Sequence, residues 1–165
     1  MRRFLIIAIL LLVLVPASVA IAGKRSPGDG TLALKNASGV FVIQGKGAVI
    51  GQLDRGYVRI LDPNPNDGPP AIVSGWEHAR DMTDKSSLWS GTDINFRMIG
   101  GTFRIQISGK GVDLSFVGRG SVTLTGLGSS DDGRYSVDGG DVCRPVPLLP
   151  ATFSIPPLVA VVPGQ

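Results

Sequence analysis

The sequence predicts an all-β protein: an eight-stranded antiparallel barrel or sandwich, built from two duplicated four-strand units with one short helix between them. Composition points this way first. Gly (23) and Pro (12) are abundant and charged residues make up only 18%, which suits short strands and tight turns better than a helical bundle. Second, the hydrophobic period is two. Phe103, Ile105 and Ile107 fall on one face and Arg104 and Gln106 on the other, while Val112, Leu114 and Phe116 oppose Asp113 and Ser115. Third, two segments, 31–61 and 93–125, repeat each other.

The repeat is read with one gap. At an offset of 62, Leu32 meets Ile94, Leu34 meets Phe96, Gly39 meets Gly101, Phe41 meets Phe103 and Ile43 meets Ile105. A two-residue insertion, Ile107-Ser108, then aligns Gly45-Lys46-Gly47 with Gly109-Lys110-Gly111 and Arg55-Gly56 with Arg119-Gly120. It also pairs Ile50 with Leu114, Val58 with Val122 and Ile60 with Leu124, all expected to face the core. Gly-Lys-Gly and Arg-Gly supply the positive φ of hairpin turns, so each unit is expected to be a meander. A right-handed β-solenoid is the alternative for strands at this spacing; the two copies and the turn signals favour the barrel or sandwich.

The chain is expected to divide into a signal peptide (1–22), one all-β domain (23–142) and a Pro-rich apolar tail (143–165). Arg2-Arg3 precede an apolar run from Phe4 to Val15. Pro16 breaks the run, and Ala20-Ile21-Ala22 offers small residues at a cleavage site. The run is short for a membrane span of about 20 residues, so no transmembrane domain is expected after cleavage. About 140 residues then remain, enough to bury a sizeable core. Cys143 is the only Cys, so this core stands without an internal disulfide. The tail from Arg144 onward is broken by prolines and can be neither helix nor central strand.

Between the units, 62–92 opens with a turn-rich stretch, and a short strand is expected over 71–74. Ser74-Gly75-Trp76-Glu77 matches a capping box and predicts the short helix over 75–82.

Chemistry is sparsely signalled. Trp76, Glu77, His78 and Trp89 are the candidate binding residues, because indole faces stack on sugars or fill a barrel mouth. Asp62, Asn64, Asn66 and Asp67 present oxygens in the manner of a Ca²⁺ loop. The pattern lacks its Gly and its distal carboxylate, so no metal and no cofactor are expected. His78 and Cys143 with Arg144 are the only thiol–base constellation. The Thr-Leu-x-Thr-Cys strand of sortase transpeptidases is absent, and no Gly-x-Ser-x-Gly elbow exists. No catalytic residue is assigned.

The net charge of +3 falls to +1 without Arg2 and Arg3, leaving 14 basic against 13 acidic groups. The remaining cations stand singly along the chain, so nucleic acid is not an expected partner. These features describe a secreted or envelope-associated structural or binding module. The sequence names no partner; a cell-envelope glycan or another envelope protein is the class such a module would meet. A small secreted hydrolase or transpeptidase using His78 is the alternative.

Overall fold

The computed structural model describes residues 28–129, 131–139 and 143–156. The expected leader, 1–22, lies outside these residues, as does the end of the tail. The described chain is all-β, with seven strands in one antiparallel sheet. These are β1 (Gly30–Leu61), β2 (Ile72–Ser74), β3 (His78–Asp81), β4 (Ser86–Gly126), β5 (Arg134–Val137), β6 (Arg144–Pro145) and β7 (Ala151–Ile155). Among the described residues no helix is long and apolar enough to cross a membrane.

Two very long strands dominate, and their register defines the fold. From residue 39 onward most β1 residues pair with β4 on both sides. Ile43 lies between Ile105 and Val122, Gly51 between Phe96 and Leu114, and Val58 between Trp89 and Ile107. The two partners are 17 or 18 residues apart along β4. Strand β4 therefore leaves a β1 segment on one side, makes a circuit, and returns on the other side.

Glycines make the circuit possible. They recur every eight or nine residues in both strands and align with one another. One line carries Gly126, Gly39, Gly109, Gly56 and Gly91, and the other carries Gly30, Gly118 and Gly47. At these lines the sheet bends and folds back over itself. Gly56 shows why a side chain is excluded. Its φ is +145°, and an added Cβ would sit 2.1 Å from the carbonyl oxygen of Ser108. Opposite Gly47 the partner strand bulges by one residue, with Gly100 and Gly101 both left-handed.

The folded sheet has two layers. One runs β3, 86–90, 57–61, 102–108, 40–46, 119–125 and β7. The other runs β2, 94–99, 48–53, 112–117, 30–37, β5 and β6. Alternate residues point between the layers. Phe103 of the first meets Phe116 of the second edge-to-face, with ring centroids 6.0 Å apart. Tyr135 stacks on Phe153 at 5.8 Å at one margin, while Val73 and Trp89 pack on the core at the other. The tail contributes β6 and β7 to the sheet margins and buries Val146 and Ile155.

Several expectations are corrected. The sheet is not closed into a barrel, and among the described residues every ladder is antiparallel rather than solenoidal and the strands number seven where eight were expected. Gly45-Lys46-Gly47 and Arg55-Gly56 are not hairpin turns. The chain runs straight through them, because the glycines bend the strand out of one layer into the other instead of reversing it. No helix forms over 75–82; residues 75–77 make a turn and 78–81 form β3. The capping box is spent otherwise: the Glu77 N–H donates to the Ser90 carbonyl (3.0 Å), and the Glu77 carboxylate accepts from the Thr92 hydroxyl (2.9 Å). Ile50 does not face the core as Leu114 does; it is 39% exposed against 4%. Gly51 faces inward instead, and the Phe96 ring occupies the place of its missing side chain.

Candidate functional site

The residues singled out by sequence do not converge. Trp76 lies in the turn between β2 and β3 and is 47% exposed. In the β3–β4 ladder His78 is opposite Ser90, and Ala79 is opposite Trp89. Directly opposed residues share a face and neighbours along a strand do not. His78 therefore points outward, whereas Trp89 points between the layers and packs on the core. Cys143 is a free, exposed thiol at the other margin of the sheet.

The oxygen-rich loop serves as a latch. Asp62 accepts the Asn64 N–H (3.0 Å), and the Asp67 N–H donates to the Asn64 carbonyl. Asp67 reaches across to the sheet and accepts from both the N–H (3.1 Å) and the hydroxyl (2.8 Å) of Thr102. The Thr102 hydroxyl bond outweighs burial and, with the Thr102 N–H and nearby Lys46, holds this carboxyl below the ordinary Asp value of 3.8. Gly101 lets the carboxylate approach, since a Cβ there would lie 2.6 Å from an Asp67 oxygen. Among the described residues no group of three or more His, Cys, Asp or Glu side chains is placed to hold a metal.

What sequence reasoning missed is the outer face of the first layer. Its cations are scattered along the chain and the ladder assembles them. Arg80 and Arg59 flank Leu88 in one cross-strand row. Arg104 is opposite Leu61, two residues from Arg59, and also opposite Gln44, two residues from Lys46. Lys46 is directly opposite Arg119. Cβ atoms of opposed pairs stand about 5 Å apart and of diagonal pairs about 7–8 Å, so these five cations trace a diagonal stripe across the layer. Gln44, Gln106, Ser108, Ser121 and Thr123, together with the half-buried Val40, Val42, Leu61 and Leu88, fill the neighbouring positions.

Parts of the stripe are held in place. Arg59 donates from Nε to the Ser86 hydroxyl (2.8 Å) and from Nη2 to Asp84. Asp84 also accepts the Ser86 hydroxyl (2.6 Å). That hydroxyl bond, together with the Ser86 N–H and Arg59, keeps the Asp84 carboxyl below its ordinary value despite burial. Arg119 donates to Asp29 (3.1 Å). Gln106 donates to the Tyr57 hydroxyl (3.3 Å). Arg104 makes no hydrogen bond or ion pair among the described residues. Arg59, Leu61, Asp84, Arg104 and Gln106 line a shallow depression of about 180 Å³ in the middle of the stripe.

The outer face of the second layer differs. There Lys35 pairs with Asp113 (3.7 Å), which also accepts from the Asn36 N–H (2.8 Å), and the exposed Ile50, Ile72 and Ile99 interrupt the polar groups. Comparison of the chain with protein-family models, with curated proteins and with solved structures finds no match.

Proposed function

We propose that the protein is an exported binding or structural module of the cell envelope or its surroundings, acting through the broad outer face of its folded sheet. One observation carries this reading: the paired ladders gather cations, amides and hydroxyls onto a single exposed face. Backbone bonds on both sides of most strands hold that face rigid, so the side chains are pre-arranged for an extended partner. Export rests on the leader: Arg2-Arg3, the apolar run and Ala20-Ile21-Ala22.

The test is cell fractionation of the expressed full chain, with intact-mass measurement. The expected outcome is a mature species outside the cytoplasm that begins after Ala22. A full-length species held in the cytoplasm would overturn the reading.

The two long strands are also read as duplicated. Support comes from matched inward positions: Leu32 and Ile94, Leu34 and Phe96, Phe41 and Phe103, Val58 and Val122, and Ile60 and Leu124 are all buried. On this reading an ancestral strand with a glycine at each bend doubled into a pair that winds antiparallel.

A further inference from the structure

We propose that Asn36, in the run Asn36-Ala37-Ser38, is an acceptor for an N-linked oligosaccharide added during export. This rests on the reading of the chain as exported and assigns that exported chain a modification site.

The sequence singles out one position. Of the chain's asparagines, only Asn36 is followed by a residue other than Pro and then by Ser or Thr. Asn64 precedes Pro65, Asn66 precedes Asp67-Gly68, and Asn95 precedes Phe96-Arg97.

The fold presents that position. Leu34 is opposite Leu114 and Ala37 is opposite Val112, so Lys35 and Asn36 both stand against Asp113. The extra residue is a bulge, and Asn36 takes a left-handed conformation in it, at φ +46°. Ala37 is buried in the core, which turns its neighbours Asn36 and Ser38 to the outer face. Asn36 is exposed there. Its surroundings are polar: Gln52 lies between Asn95 and Asp113, and Lys35 pairs with Asp113. The exposed Ile50, Ile72 and Ile99 lie in other rows of the ladder. Strand β1 leaves this layer at Gly39, so Asn36 stands near the end of the layer.

The side chain is also unspent. An Asn kept only to shape its own turn bonds through its side chain to the local backbone, as the Asn95 amide does to the Asp93 carbonyl (3.0 Å). At the bulge it is the Asn36 backbone N–H that donates, to the Asp113 carboxylate (2.8 Å). The Asn36 side-chain amide has no partner among the described residues. The Ser38 backbone N–H donates to the Asp132 carbonyl (3.0 Å), while the Ser38 hydroxyl has no partner among the described residues. The acceptor nitrogen and the hydroxyl two residues on are therefore both available on one polar face.

The step is a glycosyl transfer, catalysed by an oligosaccharyltransferase of the export pathway. Asn36 Nδ2 attacks the anomeric carbon of an oligosaccharide carried on a polyprenyl diphosphate. The carbon–nitrogen bond forms as the carbon–oxygen bond to the diphosphate breaks. The lipid diphosphate leaves with the electron pair, and Nδ2 gives up one proton.

The experiment is expression of the full chain in a secretory host that carries an oligosaccharyltransferase, with intact mass measured before and after peptide N-glycosidase. The same mature chain behind the host's own leader is run beside it. The exported chain is expected to carry an oligosaccharide that the glycosidase removes. Asn36→Gln and Ser38→Ala should each abolish the mass shift, and Ser38→Thr should keep it. Ser38→Ala leaves the left-handed residue in place, so it decides the matter if Asn36→Gln fails to fold; circular dichroism verifies folding. An exported wild type without oligosaccharide, or an oligosaccharide that persists in folded Asn36→Gln or Ser38→Ala, would overturn the proposal. Export without modification refutes the acceptor and leaves the export reading standing. Modification behind the host leader, with retention in the cytoplasm behind the chain's own leader, refutes the export reading and leaves the acceptor standing.

Discussion

Leu124→Asp is expected to abolish the fold. Leu124 is fully buried between Phe41 and Ala151 in the first layer and points at the second. The substitution removes an apolar side chain from the core and leaves an unpaired carboxylate there. Together these cost about 5 kcal/mol or more, comparable with the whole stability of a small domain. The adjacent Thr123→Asp is the control. Thr123 points outward, where its hydroxyl meets that of Thr152 at 2.8 Å. Its replacement should cost only about 1 kcal/mol, the span of strand preference. Urea titrations of the two variants check the contrast. If Leu124→Asp stays soluble with an unchanged midpoint, the inward face has been assigned wrongly.

The second large effect is expected at a bend. Gly56 pairs with both Gly91 and Gly109, and its φ of +145° is strained for any residue with a Cβ. Ala there drives its methyl into the Ser108 carbonyl, a backbone group that moves only with its strand. Strain and overpacking together should cost about 3 kcal/mol or more. Gly139→Ala separates the two contributions. Gly139 is also left-handed, at φ +65°, but nothing lies within 4 Å of its added Cβ. It should cost about 1 kcal/mol from backbone strain alone. Thermal melts of both variants give the comparison, and equal small losses would mean that the bends tolerate side chains.

These two positions also mark the boundary of what the sequence makes legible. Alternation identified the inward residues of 102–108 and 112–116, and Phe103, Ile105, Ile107, Val112, Leu114 and Phe116 are all buried. That signal is local, because side chains in a strand alternate whatever the partner strand is. Glycine chemistry was legible but ambiguous. Positive φ and a missing Cβ serve a hairpin reversal and a bend equally well, so Gly45 and Gly56 suggested turns where the chain only changes layer. Their spacing of eight or nine residues, repeated through both long strands, was the available clue. The 75–82 segment misled for a different reason. Its capping box gives a helix too short to stand without tertiary support, and the free edge of β4 offered backbone partners instead. The cationic face was illegible, because Lys46 and Arg119 are neighbours only through a ladder with a sequence separation of more than 70 residues. Their charges looked isolated until the register was known.

Both the core and the cationic stripe follow from the double pairing of β1. The direct measurement is a set of cross-strand Hα–Hα contacts by NMR along residues 40–46. In an antiparallel ladder close Hα pairs alternate with hydrogen-bonded pairs, so a strand flanked on both sides must send successive contacts to opposite neighbours. Val42 and Ile43 are therefore expected to divide between the two flanking segments, 102–108 and 119–125, and the alternation should continue to Lys46. Contacts from all of these residues to a single segment, with none to the other, would contradict the fold and dissolve the stripe with it.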